Sequence, residues 1–279
     1  MDIIFEQFSQ TMIIFPNAKV NLGLNIISKR SDGFHNIESI FFPVAIHDAL
    51  EFVVADKMEF TLSGLVVNGN VGDNLVLKAY HLLKKDFDLP PLKIHLYKNI
   101  PMGAGLGGGS SDASFFLKAL NQYFKLNIST NKLIEYAAQL GSDCAFFILN
   151  QPCFSSGRGE ELTPIELNLA GKKMMVIHPA ISVNTAWAYS KIKPSQPLKA
   201  VKEIIAQPIL TWKTALINDF EMPVFQEFPA IEKIKQQLYG AGAIYASLSG
   251  SGSAVFGIFE NEIPTIQFPD NYFLGEYSI

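Results

Sequence analysis

Eleven residues, Pro101-Met-Gly-Ala-Gly-Leu-Gly-Gly-Gly-Ser-Ser111, hold five of the chain's 20 glycines and constrain the fold more than any other segment. A strand-like segment, Leu92–Tyr97, precedes them, and a helix-like segment follows from Ser111. Glycine reaches positive φ without strain and lets a ligand approach the main chain where a Cβ would otherwise stand. Successive N–H groups can then converge into an anion nest. A nest that opens onto a helix N-terminus gains the positive end of the helix dipole. Ser110 and Ser111 add hydroxyls for phosphate oxygens or a metal ion. The reading is a phosphate-binding loop, and the phosphates expected are those of a nucleotide. The alternative is a flexible linker. Apolar flanks, Pro101 in front and a serine-capped helix behind argue against it.

The spelling of the loop narrows its class. A Walker A loop places lysine before its Ser/Thr, and here Gly109 precedes Ser110. Gly103, Gly105 and Gly108 match the dinucleotide pattern Gly-x-Gly-x-x-Gly. That pattern calls for an acidic residue about 20 residues on, where this chain has the loop-like Asn127-Ile-Ser-Thr-Asn131. The Val-Ala-Ile-Lys strand and His-Arg-Asp loop of protein kinases are both missing.

At 279 residues the chain fits one large domain or two intimate ones. Hydrophobic content of 48% against 17% charge means a buried globular core, not disorder. A net charge of −4 argues against nucleic-acid binding as the main task. Cys144 and Cys153 make neither a disulfide framework nor a usual zinc site, so a reduced, cytoplasmic setting is expected. No basic region precedes the first apolar residues, which argues against a signal peptide. No apolar run is long enough for a membrane span.

Strands and helices interleave. Ile13–Phe15 and Val20–Ser28 read as strands broken at Pro16-Asn17, and Ile37–Leu50 and Glu51–Leu62 as further strand material. Asp73-Asn74 caps a helix over Leu75–Lys85. Helices follow at Ser111–Phe124 and Asn131–Leu140, the second closed by Gly141. Gln151–Lys173 reads as a hairpin and polar connection, and Met174–His178 as a strand opening a second half. That half adds helices near Thr185–Lys191, Leu198–Ile205 and Ile231–Tyr239, then strands Ala243–Ser249 and Ser253–Phe259 around Gly250-Ser-Gly252. The expected class is α+β, with two packed halves and a site between them.

Three more constellations carry chemistry. Lys19 and Asn21 have period-2 spacing and share one face of a strand, with Val20 and Leu22 on the other. Asp143 in Gly141-Ser-Asp143 precedes an apolar run. Ala246-Ser-Leu-Ser-Gly-Ser-Gly-Ser253 is a glycine–serine turn between apolar strands. Taken singly, these read as a solvated lysine, a helix N-cap and a tight hairpin.

Taken together, in this order from Pro16 to Ser253, they resemble the galactokinase–homoserine kinase–mevalonate kinase–phosphomevalonate kinase superfamily. Its motifs are an N-terminal Pro-x-x-Lys/Arg, a central Pro-x-x-x-Gly-Leu-Gly-Ser/Gly-Ser-Ser loop and a C-terminal glycine-rich turn. Ala18-Lys-Val-Asn-Leu22, Arg30-Ser-Asp-Gly-Phe-His35, Asp73-Asn-Leu75 and Gly141-Ser-Asp143 are similar to the branch that phosphorylates a methylerythritol carrying cytidine diphosphate. The resemblance implies a two-domain fold, with an N-terminal half like ribosomal protein S5 domain 2, a ferredoxin-like C-terminal half and an active site in the cleft between them. The expected division is residues 1–160, nucleotide-binding and catalytic, and residues 161–279.

The implied reaction moves the ATP γ-phosphoryl group to a hydroxyl, with Mg²⁺. Asp143 would accept the hydroxyl proton. Lys19 would hold that carboxylate ionised and stabilise negative charge. The nucleotide contacts would come from Pro101, Met102, Gly103, Ala104, Gly105, Leu106, Gly107, Gly108, Gly109, Ser110 and Ser111, with Asn74 and Lys98. Asn21, Phe34, His35 and Tyr189 would bind substrate: Phe34 and Tyr189 by stacking on cytosine, His35 at the base edge. No acidic side chain is identified as a metal ligand. Phe34 stands where the family commonly has tyrosine, so any contact from that hydroxyl is missing. Met1–Thr11 precede the usual start of relatives, with Met12 an alternative start, and Leu198–Phe220 matches only loosely. The expected partners are a small molecule carrying cytidine diphosphate, no nucleic acid and no membrane, in a monomer or weak homodimer. The alternatives are a sibling kinase for mevalonate or homoserine, and a non-catalytic sensor. Asp32-Gly-Phe-His35 argues against the first, and the retained Lys19, Asp143 and glycine loop against the second.

Overall fold

The computed structural model describes residues 10–66 and 70–279. Most of the N-terminal segment expected to precede the usual start therefore lies outside the described residues. In chain order the elements are β1 (Met12–Ile14), β2 (Asn17–Lys29), β3 (His35–His47), β4 (Ala49–Val54), β5 (Glu59–Gly64), α1 (Leu75–Leu83), β6 (Leu92–Lys98), α2 (Gly108–Tyr123), α3 (Thr130–Leu140) and α4 (Cys144–Leu149). They continue as β7 (Cys153–Ser156), β8 (Glu161–Pro164), β9 (Lys173–His178), α5 (Thr185–Ser190), α6 (Val201–Ile205), α7 (Trp212–Ala215), α8 (Glu221–Glu227), α9 (Pro229–Gly240), β10 (Tyr245–Leu248), β11 (Val255–Phe259) and β12 (Phe273–Ser278).

Several boundaries differ from the sequence reading. The strand expected to run to Leu50 is cut at Asp48, whose carboxylate caps the N–H groups of Asn99 and Ile100. The helix expected from Ser111 starts at Gly108, and its cap is Gly107 at φ 72, not a serine. Gly107 supplies the left-handed residue at the helix start, so Gly108 and Gly109 can be helical. Gly141 ends α3 in extended backbone, φ 174. The helices α7 and α8 and the strand β12 lie in stretches without the periodicity that would have announced them.

The chain forms two compact units. One holds residues up to Ala18, Ile46–Ile100 and Gly107–Asn150. Its sheet has the order β1-β4-β6-β5, with β5 parallel to β6 and the other pairs antiparallel. Leu92, Ile94 and Leu96 are buried while Lys93 and Tyr97 are exposed, so β6 has one core face. Against that face pack Val76, Ala79, Tyr80 and Leu83 of α1, at helical spacing, with Phe116, Leu117 and Leu120 of α2. Phe52 meets Phe116 edge to face at 5.3 Å.

The other unit holds Lys19–Ala45, Pro101–Leu106 and Gln151–Ile279. It contains the sheets β2-β3-β7-β8 and β10-β11-β9-β12. β2 is buried from Asn17 through Leu24 without alternation, so both of its faces are covered. Ile177, Val255 and Leu248 share a core with Ile231, Ile234 and Leu238 of α9. No helix among the described residues is long and apolar enough to cross a membrane.

Candidate active site

In the second unit, Lys19 is only 3% exposed, so it is not a solvated surface charge. Its Nζ donates to Asn21 Oδ1 at 2.6 Å, and Asn21 Nδ2 donates to Ser39 Oγ at 2.9 Å. Ser39 Oγ donates in turn to Gly23 O at 2.7 Å. This chain of bonds fixes both the Asn21 amide and the ammonium it faces. The Lys19 N–H reaches Leu106 O at 2.9 Å, so the strand carrying Lys19 is laced to the first half of the glycine loop. That half is also laced to the glycine–serine turn. Ser249 Oγ donates to Gly105 O at 2.8 Å, and the Ala254 N–H to Ala104 O at 3.0 Å. Gly105 sits at φ +78, and a Cβ there would stand 1.9 Å from Ser249 O. Only glycine permits that approach. The turn is therefore more than a hairpin connection, because it sets the position of the loop.

The first unit carries the second half of the loop. Gly107 turns the chain, and Gly108 to Ser111 form the first turn of α2. Ser111 Oγ is buried, with no hydrogen-bond partner among the described residues. Ser114, unremarked in the sequence, has its hydroxyl 2.8 Å from Ser110 O and 2.7 Å from Cys144 O, and its one proton is shared between them. It thereby ties the serine end of the loop to the start of α4, beside Asp143. Asp143 occupies the N-cap position of α4 but makes no side-chain capping bond. Asn74 caps α1 through Val76 N at 2.9 Å. Its neighbour Leu75 places Cδ1 4.0 Å from where a Gly109 Cβ would be, so the N-termini of α1 and α2 adjoin.

Lys98 is 2% exposed, and its ammonium lies between two carboxylates. It pairs with Asp48, and with Asp112 of α2 at 2.7 Å. Burial works against the Lys98 charge, but Asp112 and Asp48 more than offset it and raise its pKa. Burial pushes the Asp112 carboxyl up from 3.8 to about 8; Lys98 opposes the shift and Asp48 adds to it. The triad carries one surplus negative charge, which a proton on Asp112 neutralises. A nucleotide contact from Lys98 would have to come from its main chain, since the ammonium is committed to these carboxylates.

The aromatic group lies in the second unit. His35 and Tyr189 stack with centroids 4.9 Å apart and planes 18° apart. Tyr189 also meets Phe220 edge on. Phe34 is half exposed, with the Arg158 guanidinium 5.1 Å from its ring centre. Arg158 is anchored by Glu160 at 3.0 Å. No motif in the sequence announced Arg158, because the β7–β8 turn that delivers it is a tertiary neighbour of Phe34. Asp32 accepts the Phe34 N–H at 3.1 Å and fixes the turn that presents these rings. Burial, then the charge of Lys29, lowers the His35 pKa and favours the neutral imidazole.

The family model for the GHMP kinases N terminal domain matches residues 74–154, and that for GHMP kinases C terminal matches residues 200–267. A 4-diphosphocytidyl-2-C-methyl-D-erythritol kinase of Bacteroides fragilis is 53% identical over 255 residues, covering 90% of this chain and 93% of its own. The Bacteroides thetaiotaomicron protein of the same name is 53% identical over 269 residues, covering 94% and 98%. Among solved structures, a 4-(cytidine 5'-diphospho)-2C-methyl-D-erythritol kinase superposes with a TM-score of 0.75 at 31% identity, covering 90% of this chain and 91% of its own. A homoserine kinase from Cytophaga hutchinsonii shares the fold, with a TM-score of 0.71 at 15% identity over 96% of this chain and 94% of its own. With half its residues shared across nearly its whole length, this chain belongs to the 4-diphosphocytidyl-2-C-methyl-D-erythritol kinases, within the two-domain GHMP-kinase fold.

Proposed function

We propose that the chain carries out its family's reaction with the residues described above. It is an ATP-dependent kinase that phosphorylates the 2-hydroxyl of 4-diphosphocytidyl-2-C-methyl-D-erythritol, giving the 2-phosphate in the non-mevalonate route to isoprenoid precursors. The observation that carries the residue assignment is the glycine run. One half is locked to a second glycine turn, and the other opens a helix whose Ser111 hydroxyl is buried with no partner among the described residues.

In this reading the loop N–H groups hold the α- and β-phosphates, and Ser110 and Ser111 face the β/γ end. Asp143, at the start of α4, takes the proton of the attacking hydroxyl. Lys19, buried and oriented by Asn21, stabilises negative charge at the reacting oxygens. No group of three His, Cys, Asp or Glu able to hold a metal exists among the described residues. Mg²⁺ keeps several waters and leans on substrate phosphates. Ser111 Oγ is the side chain that would hold it, and the ion would neutralise charge on the transferring group. Asn74 and the main chain of Lys98 would border the nucleotide. Rings 4.9 Å apart leave no room for a base between His35 and Tyr189. Cytosine would therefore stack on exposed Phe34, and on Tyr189 once the His35 ring swings aside to the base edge.

The proposed division, residues 1–160 nucleotide-binding and catalytic and 161–279 C-terminal, follows the order of the two family matches, whereas the compact units cross it, Lys19–Ala45 and Pro101–Leu106 grouping with Gln151–Ile279. A cytoplasmic monomer or weak homodimer fits two buried, unpaired cysteines. The test is turnover with the cytidylyl substrate against methylerythritol 4-phosphate, mevalonate and homoserine. The expected result is turnover of the first alone, and comparable turnover of any other would overturn the substrate assignment.

A further inference from the structure

We infer that Asn218-Asp-Phe-Glu221 is a brace that positions the glycine–serine turn and, through it, the Pro101–Leu106 half of the glycine loop, so that it sets nucleotide affinity without touching the nucleotide. This rests on the reading of that loop as the phosphate site. The segment lies within residues 200–267, which the C-terminal family model matches, and its polar side chains are all committed.

Asn218 is fully buried. Its Nδ2 donates to Leu248 O at 2.8 Å and to Gly250 O at 2.9 Å, and its Oδ1 accepts the Phe220 N–H at 2.9 Å. The two carbonyls it grips flank Ser249. Ser249 is the residue whose hydroxyl holds Gly105 O and whose own carbonyl lies where a Gly105 Cβ would be. Asn218 is thus one residue removed from the junction of the two glycine segments. Glu221 steadies the same strand end. It accepts from Leu248 N at 3.1 Å and Ser247 Oγ at 3.1 Å, and Lys235 neutralises it at 2.7 Å.

Asp219 points the other way, to the strand that carries Lys19. Its Oδ2 accepts the Ile26 N–H at 2.7 Å, and its own N–H reaches Leu24 O at 2.8 Å. Leu24 N–H returns a bond to Ile217 O at 3.0 Å. Four consecutive residues therefore tie β2, β10 and the turn into one frame. Burial alone would be served by apolar side chains. A primary amide with two donors aimed at two carbonyls of a glycine turn is needed only where that turn must hold one geometry. Glycine-rich backbone has the most conformational freedom to lose, and phosphate recognition by N–H groups tolerates little displacement.

The test is Asn218→Asp, which keeps the shape but turns a carboxylate without donors toward two carbonyl oxygens. Isothermal titration with a non-hydrolysable ATP analogue and, separately, with the cytidylyl substrate is run beside kcat and KM. The expected result is a loss of ATP-analogue affinity of roughly 10–100-fold, the scale of a small misplacement of a binding group, with a matching rise in KM for ATP and little change for the cytidylyl substrate. Unchanged ATP affinity overturns the brace, and so does an equal loss for both ligands, which would mark a general structural role. If Asn218→Asp does not fold, Ser249→Ala removes only the hydroxyl bond to Gly105 O, and a smaller loss in the same direction is expected. Undiminished ATP affinity in a folded Ser249→Ala overturns the brace. Gly107→Val separates the two levels. Retained ATP binding there overturns the loop reading and the brace with it. Lost binding there, with binding kept in Asn218→Asp, overturns the brace alone.

Discussion

At the scale of single residues, Asp143 is the most exacting case. It holds the N-cap position of α4, so its replacement sets chemistry against fold. Asp143→Asn is expected to bind ATP and unfold near the wild-type temperature while losing roughly 10²–10⁴-fold in turnover. Lys19→Met should lose a comparable factor, and the double variant little more than either single one, because residues serving one step are not additive. Near-normal turnover in Asp143→Asn would remove it as the base. Asp112 yields a prediction of another kind. Its folded pKa of about 8 lies above its unfolded value of 3.8, so the stability it contributes is complete below pH 4 and is lost as pH rises through about 8. Asp112→Asn has no such proton. Urea unfolding at pH 5, 7 and 9 should show wild type falling relative to this variant, and parallel curves would mean that Asp112 is ionised throughout. Lys98→Met, by contrast, removes the cation between two buried carboxyl groups and should cost about 3–5 kcal/mol.

At the scale of elements, the loop and the helix it opens divide their glycines by task. Gly107 must be glycine for its φ of 72, whereas Gly109 is helical and a Cβ there meets only Leu75 Cδ1 at 4.0 Å. Gly107→Val should therefore lose both ATP binding and some stability. Gly109→Val should keep its melting temperature within a few degrees, the range of ordinary surface changes, and lose ATP affinity only if phosphate approaches the backbone there. Full ATP binding by both would reduce the run to a structural turn. The β2–β3 turn with α5 carries the rings proposed to hold cytosine. Phe34→Ala should weaken the cytidylyl substrate by about 1–3 kcal/mol with ATP affinity nearly unchanged. Tyr189→Ala should do the same and also lower stability, because its ring packs on Phe220. A fall in ATP affinity with cytidine selectivity intact would assign these rings to the other ligand.

At the scale of the whole molecule, what was legible in the chain had a local physical cause. The glycine run, the α1 cap at Asn74, the alternation of β6 and the family motifs depend on residues a few positions apart, and all were legible in the chain. Gly107 as the cap in place of a serine was not, because helical glycine is a poor prior that packing overrode. Burial of Lys19 was not legible either, since a charge on a strand reads as solvated until both faces of that strand are covered. The pairings made by Ser114, Arg158, Asn218 and Lys98 were not legible, for one shared reason. Each has a partner 14 to 124 positions away in the chain, and no local pattern records such a pairing. The sequence by itself determined the class of chemistry, because a loop that holds phosphate must be spelled in consecutive residues. Only the tertiary structure decided which groups hold that loop in place, because polar side chains deep in a fold are assigned by whichever distant carbonyl or carboxylate packing brings within hydrogen-bond reach.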